Sequence, residues 1–182
     1  RNGVEMYDVY TGFKWIANVM RENEGKKNYI GGGEESYGFL CEDFVRDKDA
    51  VSACVILAEI AAWAKDQGLS LYQLLQKIYV EYGFSKEKGI SVVKKGKSGA
   101  EEIEAMMKKF RENPLTEIAG SKVTYFYDYS TLKGKDYAEN ETVTLDMPTT
   151  SNVLQYFTED NTKVSIRPSG TCLLYTSPSP RD

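Results

Sequence analysis

Residues 49–83 read DAVSACVILAEIAAWAKDQGLSLYQLLQKIYVEYG, and this stretch decides the fold class of the chain. Its first half, Asp49–Lys65, is rich in alanine and places apolar side chains at helical spacing. Ser70 and Gln73 then form the sequence pattern of a capping box, which opens a second helix over Leu71–Tyr82. The stretch therefore predicts a helical hairpin with a very short joint, whose apolar stripes pack on a sheet.

Shorter elements flank this hairpin. The spacing of apolar residues predicts a helix over residues 12–21, and short extended segments are expected at 26–30 and 39–44. A second capping-box pattern at Ser98–Glu101 opens a helix that ends at Asn113-Pro114. Aromatic and β-branched runs then predict strands over residues 122–129, 153–157 and 163–166. This change in sequence composition predicts a domain boundary near residues 113–119.

The composition limits the classes of function. The 182 residues carry 23 basic and 27 acidic side chains, and the scattered lysines predict no nucleic-acid partner. No apolar run reaches 18 residues and the N-terminal segment has no signal-peptide pattern, so we expect no membrane span. Three cysteines without metal-type spacing favour a reducing cytoplasm, and Cys54 is expected in the core. The absence of histidine excludes Ser-His-Asp chemistry within this chain.

Two loops carry residues suited to ligand binding. The loop GGGEESYGFL, residues 31–40, is either a solvated acidic turn or a device that grips a polyhydroxylated ligand, because carboxylates accept hydroxyl hydrogen bonds. The loop RPSGT, residues 167–171, is either an ordinary turn or a phosphate site. Its guanidinium, hydroxyls and backbone amides would donate hydrogen bonds to that phosphate.

Four short stretches occur in a specific order: TGFKW at 11–15, GEESYG at 33–38, RDKD at 46–49 and RPSGT at 167–171. Over residues 1–171 the chain resembles the C-terminal half of an α-D-phosphohexomutase, a member of the phosphoglucomutase/phosphomannomutase family.

The resemblance implies an α/β fold in two parts. Residues 1–115 would form part of a sugar-binding domain 3, a three-layer α/β/α structure with a mixed sheet. Residues 119–171 would form a truncated α+β phosphate-binding domain 4. Residues 172–182, CLLYTSPSPRD, depart from the family pattern and are either a foreign or frame-shifted tail or a natural flexible terminus.

The resemblance also implies a role for each matching residue. Glu34 and Ser36 would hold the 3- and 4-hydroxyls of the sugar. Lys48 would face the ligand and assist proton transfer, while Thr11 and Gly12 would line the same pocket. The residues that would hold the non-reacting phosphate are Arg167, Ser169, Gly170 and Thr171.

In this family a phosphoserine donates its phosphoryl group to a hexose phosphate, which gives a bisphosphate such as glucose 1,6-bisphosphate. The phosphoryl group moves between the 1- and 6-positions, and Mg²⁺ assists. The serine loop and the aspartate loop that binds Mg²⁺ are missing from this sequence, so we expect the isolated chain to be inactive, to lack metal ligands and to depend on an upstream domain. The alternative is a non-catalytic phosphosugar-binding module. Glucose and mannose phosphates differ at C2, which these loops do not contact, so the sequence does not choose between them.

Overall fold

The computed structural model describes residues 3–168. The predicted tail at 172–182 and the residues Ser169, Gly170 and Thr171 lie outside the described part. The chain divides into two compact units at Gly89 and Ile90. Each unit has its own small core, and each is described by itself below.

The first unit opens with helix α1, Phe13–Glu22. A two-residue strand β1, Gly32–Gly33, pairs antiparallel with β2, Phe39–Leu40. Phe13, Met20 and Leu40 form the core of this unit, because one face of α1 packs against the β1–β2 hairpin. The predicted helix is confirmed, whereas the extended segment expected at 26–30 is wrong: residues 23–27 form turns, and the strand begins at Gly32.

The helical hairpin predicted from the sequence is present. Helix α2 spans Ala50–Asp66 and α3 spans Leu71–Tyr82. The carboxylate of Asp49 accepts hydrogen bonds from the amides at the start of α2. The Ser70 capping box is formed in full, with reciprocal bonds to Gln73. Local sequence signals therefore fix both helix starts.

The packing predicted for this hairpin is wrong. Several of its apolar side chains, including Leu57 and Trp63, are more than half exposed, and only Ala64 is buried in either helix. Cys54, expected in the core, is also exposed. The physical reason is the size of the partner layer: the strands of the first unit comprise two residue pairs, which are too few to cover a two-helix stripe.

The second unit consists of helix α4, Gly96–Glu112, and an antiparallel sheet. The main strands are β4 (Ser121–Asp128), β5 (Lys133–Asp136), β6 (Glu141–Thr144), β7 (Leu154–Thr158) and β8 (Lys163–Ile166). Their order across the sheet is β6-β5-β4-β7-β8, and a short β3 (Glu117–Ile118) pairs with β4. The α/β class is confirmed, and all strand pairs among residues 3–168 are antiparallel.

Helix α4 belongs to the second unit because its inner face contributes Met107 to the core of the sheet. The other buried core residues are Val123, Phe126, Leu154 and Tyr156. The Tyr156 hydroxyl donates to the Phe110 carbonyl (3.1 Å) in the last turn of α4, where carbonyls lack helical partners. The sequence placed the boundary between domains after this helix, and the assignment of 1–115 and 119–171 to two domains stays a prediction.

The capping box predicted at Ser98 is wrong. Helix α4 begins two residues earlier, at Gly96, and its N-cap Lys95 makes no side-chain capping bond. Residues 90–93, which include the β-branched Ile90, Val92 and Val93, form no strand. The strands expected at 122–129, 153–157 and 163–166 are present with bounds shifted by at most one residue.

Candidate functional site

The acidic loop is a tight turn between β1 and β2. The Glu34 amide donates to the Gly38 carbonyl (2.8 Å), and the Tyr37 amide donates to the Glu34 carbonyl (3.2 Å). Tyr37 stands at the tip with a φ of 69° and is fully exposed. These bonds fix the backbone on both sides of the two acids, so the loop presents its side chains in a defined geometry.

The Glu34 side chain turns inward and is only 8% exposed. Its Oε1 accepts a hydrogen bond from the Gly12 amide (3.1 Å), and its Oε2 lies 3.7 Å from the Lys48 ammonium. Gly12 is the N-cap of α1 and has a φ of 115°, which favours glycine. The helix start thus aims a backbone donor at the carboxylate and holds it in place.

Glu35 points to a different partner. Its Oε1 accepts a hydrogen bond from the Thr11 hydroxyl (3.3 Å), and the residue is exposed. Ser36 is exposed on the same turn. The structure therefore brings Thr11, Gly12, Glu34, Ser36 and Lys48 into one neighbourhood, and their roles toward a ligand stay predictions.

Lys48 is held by its surroundings on several sides. Its ammonium lies 3.5 Å from Asp47 Oδ1 and 5.6 Å from the centre of the buried Phe13 ring. Asp49, the next residue, caps α2, and hydrogen bonds from Ser52 and from the backbone lower the pKa of this carboxyl. Because the cap fixes where α2 begins, it also fixes the backbone from which Lys48 reaches Glu34.

An open groove of about 400 Å³ lies on the outer face of α1. Two of its cationic residues, Lys14 and Arg21, stand at helical spacing on that face, and Arg46 pairs with Glu24 (2.6 Å) at its edge. The sequence analysis missed this groove, although polar residues at i, i+4 and i+7 in α1 were a signal for it. The residues that line it are Lys14, Ala17, Asn18, Arg21, Arg46 and Asp47.

The predicted phosphate loop follows β8 in the second unit. Arg167 is exposed, and Pro168 is the last described residue. The other predicted phosphate ligands fall outside the described part of the chain, so the structure gives their roles no test.

Within residues 3–168 no group of three or more His, Cys, Asp or Glu side chains could hold a metal ion. The two acids of the loop are already engaged, Glu34 with Gly12 and Lys48 and Glu35 with Thr11. The described residues therefore offer no ligand set for Mg²⁺, which the resemblance assigns to an upstream domain.

No helix among the described residues has both the length and the apolar character that a membrane crossing requires. The longest helices, α2 and α4, have 17 residues each.

Comparisons with known proteins address the family. Residues 1–82 match the model of the phosphoglucomutase/phosphomannomutase α/β/α domain III. A phosphoglucomutase of Staphylococcus haemolyticus (strain JCSC1435) is 36% identical over 168 residues, which are 92% of this chain and 30% of that protein. A phosphoglucomutase of Staphylococcus aureus (strain MRSA252) is 39% identical over 170 residues, 93% of this chain and 30% of that protein.

No solved structure matches the chain. The chain spans about 30% of the length of these curated relatives. The similarity extends over both units and includes the acidic loop, which lies within the matched domain. Residues 1–82 are therefore similar to domain III of the phosphoglucomutase/phosphomannomutase family, in agreement with the resemblance that the sequence motifs indicated.

Proposed function

We propose that this chain supplies the sugar- and phosphate-binding loops of a phosphoglucomutase/phosphomannomutase. The complete enzyme would be an isomerase that moves a phosphoryl group between the 1- and 6-positions of a hexose through a bisphosphate intermediate. Hexose phosphates would be its substrates. The family match and the two phosphoglucomutase relatives support this proposal.

The observation that carries the proposal is the state of Glu34. This carboxylate is almost buried; Lys48 pairs with it at 3.7 Å, and Gly12 supplies one backbone donor. A carboxylate has about four lone-pair sites. Glu34 can therefore accept hydrogen bonds from two adjacent sugar hydroxyls, and the exposed Ser36 hydroxyl can add a third polar contact on the same turn.

Lys48 would serve the ligand from the other side of the carboxylate. Its side chain is half exposed, so the ammonium can reach a bound molecule without leaving its place beside Glu34. An ammonium has three donors and can hold or pass a proton at a hydroxyl oxygen. We assign Lys48 this role, and we assign Thr11 and Gly12 to the lining of the same pocket.

The phosphate would be held in the second unit. Arg167 offers a planar guanidinium suited to two phosphate oxygens. Ser169, Gly170 and Thr171 would add hydroxyl and amide donors. Because phosphate contacts do not depend on the sugar's hydroxyl pattern, one loop of this kind accepts both 1- and 6-phosphates.

The reactive groups would be supplied by other parts of the enzyme. A phosphoserine would donate the phosphoryl group, glucose 1,6-bisphosphate would be its intermediate and activator, and Mg²⁺ would neutralise phosphate charge at residues outside this chain. We therefore expect this chain alone to give no mutase turnover with glucose 1-phosphate. Cys41 and Cys54 are free thiols, which supports a reducing cytoplasmic location.

The test uses matched acid variants of the adjacent residues. Glucose 1-phosphate is titrated into the chain, and binding is followed by amide NMR shifts. Hydrogen bonds to a charged acceptor contribute about 1.5–3 kcal/mol, so Glu34→Gln should weaken binding about 10- to 150-fold. Glu35→Gln is the control, because its carboxylate contacts Thr11 and is exposed; it should change the Kd little.

A second ligand separates hydroxyl recognition from charge effects. A 3,4-dideoxy analogue of glucose 1-phosphate lacks the hydroxyls that Glu34 would accept from, so Glu34→Gln should barely change its Kd. Arg167→Ala should weaken both ligands alike. Equal losses for Glu34→Gln on both ligands would show that the loop does not recognise hydroxyls, and the solvated-turn interpretation would then stand.

A further inference from the structure

The last glycine of the acidic loop lies against both members of the Glu34–Lys48 pair. A Cβ placed on Gly38 would stand 2.6 Å from Glu34 Oε2 and 2.7 Å from Lys48 Cδ. Real Cβ atoms essentially never approach other atoms closer than 3.0 Å. The space that a side chain of residue 38 would fill is therefore occupied by the Lys48 stem and the Glu34 carboxylate.

Backbone conformation does not explain this glycine. The φ angle of Gly38 is not positive, so φ does not require glycine at this position. Its carbonyl accepts the Glu34 amide (2.8 Å), a bond that any residue can make. What the position requires is the absence of a side chain.

We infer that Gly38 is a positioning residue that keeps the Glu34 carboxylate and the Lys48 ammonium together. Glu34 Oε2 ends a flexible side chain and Lys48 Cδ belongs to a flexible stem, so an added methyl group displaces them and leaves the fold intact. Glu34 is also tied to the Gly12 amide, whereas the Lys48 side chain is half exposed. The lysine is therefore the member that moves, away from both Glu34 and the Phe13 ring.

The consequence for a ligand rests on the proposed function. With Gly38 in place, one sugar hydroxyl can meet an acceptor on Glu34 and a donor on Lys48 at the same time. A larger residue at this position separates the two groups, so the loop would bind with the carboxylate alone. Gly38 would then act on ligand binding without touching the ligand.

The first experiment needs no ligand. A carbodiimide condenses adjacent carboxylates and amines, so it should join Glu34 to Lys48 in the wild-type chain, and mass spectrometry of a tryptic digest should recover the two linked peptides. In Gly38→Ala the yield of this crosslink should fall to the residual level measured in Lys48→Arg. Gly31→Ala is the matched control and should retain it, because a Cβ on Gly31 meets its neighbours at 3.6 Å or more.

The melting temperature shows whether a loss of the crosslink results from general destabilisation of the fold. It should change little in Gly38→Ala. If it falls, the fall should disappear when Glu34→Ala and Lys48→Ala remove both clashing atoms. The inference would be overturned if Gly38→Ala gave the crosslink in full yield. It would also be overturned if the melting temperature still fell when Gly38→Ala was combined with Glu34→Ala and Lys48→Ala.

The ligand experiment distinguishes this inference from the proposed function. If both hold, Gly38→Ala should weaken glucose 1-phosphate binding as much as Lys48→Ala, and the double variant should lose no more than either alone. If the wild-type chain binds no hexose phosphate while the crosslink follows the pattern above, the positioning role stands and the proposed function fails.

Discussion

Replacement of Arg111 by methionine would remove an ion pair that joins α4 to the sheet of the second unit. The Arg111 Nε donates to both oxygens of Asp128 (3.2 and 3.1 Å), and its terminal nitrogen bonds Asn152. The Asp128 side chain is 10% exposed and that of Arg111 is 25% exposed. Methionine keeps the length of the apolar stem and removes only the guanidinium, so the variant isolates the charge.

The magnitude follows from what remains around Asp128. Removal of one partner from a buried pair costs about 3–5 kcal/mol. Asp128 keeps hydrogen bonds from the Ser130 amide (3.0 Å) and hydroxyl (2.7 Å), and solvent reaches part of the pair. We therefore expect a loss of about 2–3 kcal/mol in the free energy of unfolding. A second change, Asp128→Asn, should recover part of this loss because it removes the unpaired charge.

The control lies on the same helix. Lys108 pairs with Glu112 at 3.8 Å, and both side chains are mostly exposed. Lys108→Met should therefore cost about 0–0.5 kcal/mol. Hydrogen exchange of the β4 and β7 amides reports the second unit, while fluorescence of Trp15 and Trp63 reports the first.

The result that would refute this reasoning is an equal loss for the two variants. A small loss for Arg111→Met, within about 0.5 kcal/mol of the control, would show that solvent screens the pair as it screens an exposed one. If adding Asp128→Asn to Arg111→Met lowered the stability further, the unpaired charge of Asp128 would not be the cause of the loss.

Three further predictions concern caps, acid stability and surface. Ser70→Ala should lower the free energy of unfolding in urea by about 1 kcal/mol because it removes a formed cap. Ser98→Ala, inside α4, should lie within about 0.5 kcal/mol of the wild type, and equal losses would contradict the cap assignment. A hydrogen bond from the Thr158 hydroxyl, with others from Thr162, lowers the pKa of Asp160 from 3.8 to about 2, so the stability it provides is complete above about pH 4 and is lost as the pH falls toward 2. Asp160→Asn should remove this acid dependence in CD-monitored titrations, and an unchanged pH profile would contradict it. Leu57→Lys should raise solubility and leave the melting temperature nearly unchanged, because Leu57 is 56% exposed; a large fall would show that this face is covered.

The sequence by itself determined the elements that local rules control. Leu71–Tyr82 forms a helix because its cap and its periodicity lie within a dozen consecutive residues. The strand Lys163–Ile166 was predicted to the residue from its β-branched pattern. The order of four short motifs, the acidic loop among them, also indicated the family resemblance, because residue types and order need no geometry.

Tertiary structure alone decided the environment of each of these residues. Ser70 and Ser98 have the same capping pattern, yet only Ser70 caps, because α4 starts before Ser98. The apolar stripe of α2 predicted a buried face, but burial depends on a partner layer that the stripe itself does not specify.

The two acids of the loop show this division most clearly. Glu34 and Glu35 are adjacent and chemically equal in the sequence, so no local rule separates them. In the structure one turns in to the Gly12 amide and the other turns to the Thr11 hydroxyl. Their partners lie more than twenty residues away in the chain and are brought close only when α1 packs on the β1–β2 hairpin. Long-range packing therefore decides which carboxylate is held almost buried beside a lysine, and that distinction carries the proposed function.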